Sequence, residues 1–473
     1  MASNSKDIAE LLDSSGNLNY NSGTIKLDGN YPVGNHNVVL GDTALDSNVS
    51  GANNVAVGSA SMSAITSGNF NASVGAFSLN LNTTGSSNTA FGSGSLENNI
   101  TGSNNVGLGK SALTTNTVSD NTAVGFSALT ANTTGRINTA VGKNSMVSNT
   151  TGADNSAFGG LTLDANITGN SNTALGYAAL SENTTASNNT AVGSLALYSN
   201  TTASFNTAVG DQAAYSNTTG ADITAFGASA LKENTTGSNN SAFGMLAMDD
   251  NTTGGDNTAL GGSALRRNTT GIDNTAVGYQ AGYNNTTTSY NTYLGDHAGY
   301  NATSTRNTFL GHASGEAMTT GERNVILGRY DGNIHGLDIR TGNNHIVLSD
   351  GDGNPQLYFA SGRWQTNGKA ISTLLTTIQL TNGDYTDITI QHGVYILQLR
   401  MIIGGIGQAL RTYSVASWYH SNVAYMDVIS LGDDGGGLSA SKRTATAGSM
   451  KVRVQNSTGY SNHDIQCIFT RML

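Results

Sequence analysis

Asn121-Thr122-Ala123-Val124-Gly125-Phe126-Ser127-Ala128-Leu129-Thr130-Ala131-Asn132-Thr133-Thr134-Gly135 is one copy of a unit that fills most of this chain. The glycine closing its Asn-Thr-Ala-Val-Gly core returns at Gly142, Gly159 and Gly176, onward to Gly328 and back to Gly41. The step is 17 throughout except for two steps of 16, Gly109 to Gly125 and Gly295 to Gly311. Self-similarity this regular predicts identical coils stacked on one another, a solenoid, over residues 37–328. A solenoid is a spacer or a surface before it is an active site.

Within the unit, Thr122-Ala123-Val124 alternates as a strand with one buried face does. Gly125 supplies a positive φ at no steric cost. Asn132-Thr133-Thr134-Gly135 reads as a second corner, because Asn tolerates left-handed geometry and bonds the local backbone. Stacking places like residues about 4.8 Å apart. One ladder is Val124, Val141, Phe158 and Leu175, and a second is Ala128-Leu129, Ala179-Leu180 and Ala196-Leu197. Two asparagine ladders run beside them, one through Asn121, Asn138 and Asn155, the other through Asn132, Asn149 and Asn166. Stacked Asn side chains can exchange amide hydrogen bonds along the axis. Seventeen steps make a rod of roughly 80 Å. The interior reads as mostly Ala and Val, about four apolar side chains per coil. So small a core is marginal alone, and three rods about a common axis would supply the missing burial.

Composition narrows the function. In 473 residues there are 60 Gly but only 2 Pro, and charged residues make up 11%. Such a composition suggests disorder, but the strict period argues against it. The single Cys467 excludes an internal disulfide framework. The first residues lack the basic and apolar regions of a secretory signal, and no run of 18 apolar residues occurs. Synthesis in a cytoplasm without membrane insertion is the expectation. The net charge is −10; residues 373–473 hold 7 Lys+Arg against 6 Asp+Glu, which leaves 14 against 25 for the rest. No basic stripe suits nucleic acid, and the eight scattered histidines have no metal-ligand spacing. No metal or cofactor is expected.

The Asn-Thr-Ala-Val-Gly repeats resemble the Ser-Val-Ala-Ile-Gly repeats in the head of YadA-type trimeric autotransporter adhesins. That resemblance implies a parallel β-roll wound in threes. The period here is longer than that family's. Met1–Leu12, together with Leu337–Thr341 and Ile346–Pro355, resembles tail-fibre proteins of tailed phages, especially those of cyanobacteria, and no membrane-anchor barrel follows. The fold class implied is all-β: a parallel β-solenoid of 17-residue coils in a trimeric fibre, followed by a C-terminal antiparallel β-sandwich.

Residues 1–36 lack the repeat. Ile8, Leu11 and Leu12 make a short amphipathic turn suited to docking on another virion protein; a solenoid cap is the alternative. Residues 329–372 leave the period as a neck. Asp350-Gly351-Asp352-Gly353-Asn354 resembles half a calcium loop, but the closing Glu is missing. It reads instead as a hairpin tip between Ile346–Leu348 and Leu357–Phe359. Residues 373–473 read as a sandwich of strands near 374–380, 385–390, 394–403, 413–418, 423–431, 450–454 and 465–471. Trp418, Tyr419, His420 and Tyr425 cluster near a loop and could stack on a host glycan or meet a host protein. The bland alternative places them in a sandwich core or trimer interface.

The expected function is a phage tail fibre, a virion component made in the host cytoplasm. It would join tail or baseplate proteins through its N-terminus and a host surface through its C-terminal domain. Three weak tips on one rod would gain avidity. A bacterial surface adhesin is an alternative. A depolymerising tailspike would need paired carboxylates in a groove, whereas Asp154, Asp164, Asp211, Asp256 and Asp273 stand isolated among Asn and Thr. No catalytic residue is expected. An ice-binding face made of Thr133-Thr134 pairs is disfavoured, because adjacent strand residues face opposite ways.

Overall fold

A computed structural model describes residues 35–360 throughout, short strands at 25–26, 363–366 and 369–370, and the backbones of eight strands between Thr373 and Met472. No helix occurs among the described residues. Two compact units are present, one reaching Asn333 and including Asp338–Asn343, the other holding Ile334–Leu337 and the residues from Asn344 onward.

The first unit is a β-solenoid. Eighteen three-residue strands, from Val38–Leu40 to Val325–Leu327, each pair in parallel with the next. Thr122, Ala123 and Val124 lie beside Thr139, Ala140 and Val141, one period away. The first strand also pairs with Ile25–Lys26, so the sheet begins before the repeat does.

In each strand the middle residue points inward, and Ala123 and Ala140 are fully buried. The turn segment adds Ala128 and Leu129, and the two asparagine rows close the interior. This corrects the expected core. The ladder of Val124, Val141, Phe158 and Leu175 points outward, so only three apolar side chains per coil are inside. Period-2 alternation puts Val124 opposite to Ala123, and the smaller residue is the one that fits so narrow a coil.

The asparagines do what their stacking predicts. Asn121 Oδ1 accepts the Asn138 N–H at 2.9 Å, and Asn121 Nδ2 donates to the Gly135 carbonyl at 2.9 Å. In the second row Asn149 Nδ2 donates to Asn132 Oδ1 at 2.9 Å and to the Gly152 carbonyl at 3.0 Å. Buried amides need partners, and the neighbouring coil supplies them. The corner geometry differs from expectation. Asn132 and Gly135 have no positive φ; the left-handed residues of this coil are Ser127 (φ 53°), Leu129 (φ 51°) and Ile137 (φ 56°). Asn132 is held by its amide bonds rather than by left-handed geometry. The two 16-residue coils each lose a residue in that corner, between Asn116 and Asn121 and between Ala302 and Asn307.

The solenoid also runs past Gly328. Gly315 N–H donates to the Tyr330 carbonyl, Thr319 N–H to that of Arg340, and Asn324 Nδ2 to that of Gly342. Residues 329–333 and 338–343 therefore add a further partial coil to the first unit. Its Tyr330 and Ile339 are buried.

In the second unit Ile346–Ser349 pairs antiparallel with Pro355–Ala360, with Val347 opposite Tyr358, as the hairpin reading predicts. Beyond it the strands form an antiparallel five-stranded sheet and a three-stranded sheet. The strand Leu438–Thr446 was not foreseen, and the strand expected at 413–418 extends over Ile406–His420.

Candidate functional site

The surface chemistry of the described residues is organised by rows, because each outward position repeats in every coil. The strand face carries two of them. The first strand residue is mostly Thr, as at Thr122, Thr139 and Thr173, with Val or Ser elsewhere and Ala at Ala72. The third is Val, Leu or Phe in all eighteen coils. Neither row contains a charged residue. Phe91, Leu175, Phe226 and Leu294 stand out into solvent, and Phe226 stacks on Phe243 with centroids 6.2 Å apart. The Thr row that flanks this ladder was missed in the sequence, where the Thr133-Thr134 corner is the more conspicuous feature. There Thr133 Oγ1 donates to the Thr150 carbonyl at 3.0 Å and is committed to holding coils together.

A second surface lies over the turn segment. Tyr198 stacks on Tyr215 (5.2 Å, 8°) and Tyr283 on Tyr300 (5.1 Å, 11°). Between the pairs, Arg266 Nε contacts Asp249 at 3.4 Å and Arg266 Nη1 donates to Tyr283 Oη at 3.4 Å. Burial pushes the Asp249 carboxyl above its ordinary value; Asp250 adds to this and Arg266 opposes it. Arg267 lies 5.3 Å from the Tyr283 ring centroid and donates to Asn284 at 3.1 Å. These groups satisfy one another along the stack.

The isolated acids are where corner residues would be. Asp154, Asp211, Asp256 and Asp273 are exposed, each in a different coil. Asp164 accepts from Ser181 Oγ at 2.5 Å, and Asp256 accepts from Asn239 at 3.0 Å. Among the described residues no group of three or more His, Cys, Asp or Glu is placed to hold a metal ion. At the hairpin tip Asp350 accepts from the Asp352 and Asn354 N–H groups at 3.0 and 2.9 Å, from Asn354 Nδ2 at 3.0 Å and from Gln356 Nε2 at 3.0 Å. Hydrogen bonds from Asn354 hold the Asp350 carboxyl below its ordinary value.

The receptor candidates fall on two paired strands, Ile406–His420 and Val423–Ser430. Trp418 is the register partner of Tyr425, Tyr419 of Ala424 and His420 of Val423, so they sit at one end of a hairpin. The docking candidates Ile8, Leu11 and Leu12 lie outside the described residues. Comparison with family models, curated proteins and solved structures finds no match to the chain.

Proposed function

We propose that this chain is the subunit of a homotrimeric virion fibre, a phage tail fibre. Its solenoid would be the shaft, its N-terminal segment with Ile8, Leu11 and Leu12 would dock on a tail or baseplate protein, and its C-terminal domain would meet the host surface near Trp418 and Tyr425. The observation that carries this reading is the uncharged strand face, eighteen coils long, with an apolar side chain outward in every one.

Magnitudes favour a partner for that face. At a rise of about 4.8 Å per coil and a width of roughly 10 Å, the strip is on the order of 800 Å². The largest apolar patch of an ordinary monomer is about 300–600 Å², while one side of a standard interface is about 800 Å². A partner covering so long and regular a strip must share its period, and another copy of this chain does so automatically. The count of three follows the resemblance to trimeric β-roll heads. A three-fold bundle also lets each face meet two neighbours through its two edges, which adds burial to a coil with only three apolar residues inside.

Size-exclusion chromatography with light scattering tests the reading. The expected mass is three times the 48.5 kDa of one chain. A single-chain mass at micromolar concentration would leave the strand face uncovered and end the fibre proposal. Adsorption of residues 373–473 to host cells then tests the receptor end.

A further inference from the structure

Four coils carry a large apolar residue at the leading edge of the strand face, immediately before the buried Asn that opens the next strand. They are Phe70, Ile137, Phe205 and Tyr290, exposed by 66, 62, 62 and 52%. Every other leading-edge residue from His36 to Arg323 is polar, such as Ser87, Asp154, Asn239 or Arg306. Large exposed side chains in left-handed backbone (φ 59, 56, 63 and 64°) are unfavourable on two counts. They call for a partner.

The trailing row of the same face, the third strand residue, varies in size in step with these knobs. Its small members are valines at 57 and 74, 124 and 141, 192 and 209, and 277; the other eleven coils carry Phe or Leu. Each knob shares its coil with one of these valines: Val57 with Phe70, Val124 with Ile137, Val192 with Phe205, Val277 with Tyr290. No coil with Phe or Leu in the trailing row carries a knob. The first three pairs recur after four coils, as a duplicated block would. The fourth comes after five coils, and there both the valine and the knob are delayed together. Duplication alone does not explain a matched delay.

Each valine closes one strand and its knob precedes the next, on the opposite edge of the strand face, so they do not fill each other within a chain. Between parallel copies facing one another about a common axis, however, the leading edge of one meets the trailing row of the next at the same height. Antiparallel copies would instead set leading edge against leading edge. We propose that the knobs of one copy seat in the valine dips of its neighbour. Phe70 enters between Val57 and Val74, Ile137 between Val124 and Val141, and Phe205 between Val192 and Val209, while Tyr290 stands above Val277. The occupant of each dip is a second copy of this chain, parallel and without axial stagger. A slip of one coil drives Phe70 toward Phe91 and Ile137 toward Phe158. The knobs thus fix polarity and register, which the uniform period alone leaves degenerate. This inference rests on the self-association proposed above.

Two differently tagged chains, both with Cys467→Ser, are co-expressed, purified and treated with a short bismaleimide. With Phe205→Cys in one and Val209→Cys in the other, a covalent dimer carrying both tags is expected. Phe205→Cys with Val141→Cys, four coils or about 19 Å away along the axis, should give none, and neither should Phe205→Cys with itself. A three-chain mass with linkage at the wrong height, or between like edges, overturns the register and leaves the fibre standing. A single-chain mass overturns both. Light scattering on each variant before linkage identifies which has happened.

Discussion

A Cβ on Gly282 would stand 2.6 Å from Cδ2 of Tyr293, so close that the ring would have to shift. Gly282 occupies the row that is Leu in most coils, and Tyr293 the strand-centre row that is Ala in most. The same exchange recurs between Gly315 and Phe309, whose ring lies 5.6 Å from that of Tyr293. Near the end of the solenoid the core thus changes from Ala plus Leu to an aromatic plus Gly at similar total volume. Gly282→Leu alone should cost several kcal/mol by overpacking. Gly282→Leu and Gly299→Leu with Tyr293→Ala restore the composition of the other coils and should recover most of the loss. The φ of 63° at Gly282 is not the obstacle, since Leu265 holds 48° in the same row. Thermal unfolding of the single and triple variants separates volume from backbone strain.

The Tyr293 hydroxyl is fully buried and has no hydrogen-bond partner. A buried donor without an acceptor costs about 1–3 kcal/mol. Tyr293→Phe should therefore stabilise the solenoid by about 1 kcal/mol and raise its melting temperature. Burial also pushes the phenol far above its ordinary value. An acid whose folded pKa is raised leaves stability unaffected below its unfolded value, here about 10, and loses it as pH climbs further. The difference between Tyr293→Phe and the parent should accordingly widen above about pH 10. A hydroxyl satisfied by buried water would show as a destabilised Phe variant.

Two glycine rows look alike in sequence and should respond differently to Ala. Gly75 has φ 136°, and a Cβ there would lie 2.7 Å from the carbonyl carbon and oxygen of Gly92. That backbone region is essentially confined to Gly, and the row is Gly in all eighteen coils. Gly75→Ala should cost about 3 kcal/mol or more. Gly220 is equally crowded by the Gly237 carbonyl but has no positive φ, and its row already carries Ala186, Ala203 and Thr288. Gly220→Ala should cost about 1 kcal/mol or less. Equal losses in urea titrations of the two variants would mean that crowding, not φ, sets the requirement.

The period, the parallel stacking and the buried asparagine rows were legible because each repeats in every coil, and repetition exposes register. The hairpin at Asp350 was legible from its turn chemistry. The inside-out reading of Val124 and Ala123 was not, because hydrophobicity ranks Val as the buried residue while coil width selects Ala. The left-handed Leu129 was equally hidden. Its φ is imposed by packing the side chain inward, against the preference of the residue type. At Trp418 and Tyr425 the sequence supplied residue types and the strand register supplied adjacency, and neither specifies a ligand.

Ile223 interrupts the first asparagine ladder and is buried at 1% exposure. Below it the pattern holds, since Asn206 Oδ1 accepts the Ile223 N–H at 3.1 Å. Above it the next rung, Asn240, meets a side chain with no acceptor to offer its N–H, where Asn257 finds Asn240 Oδ1 at 3.1 Å. The Gly237 carbonyl likewise receives only Asn234 Nδ2, at 2.9 Å, where Gly220 receives both Asn217 and Asn206. Ile223→Asn would replace a buried apolar side chain by a polar one, ordinarily a loss of about 2 kcal/mol or more. In this ladder the new amide gains an acceptor and two donors' worth of bonds at about 1 kcal/mol each. The substitution should therefore be neutral or stabilising by about 1 kcal/mol, and should raise hydrogen-exchange protection at Asn240. A drop in melting temperature with unchanged protection would show that the Ile223 contacts outweigh the ladder.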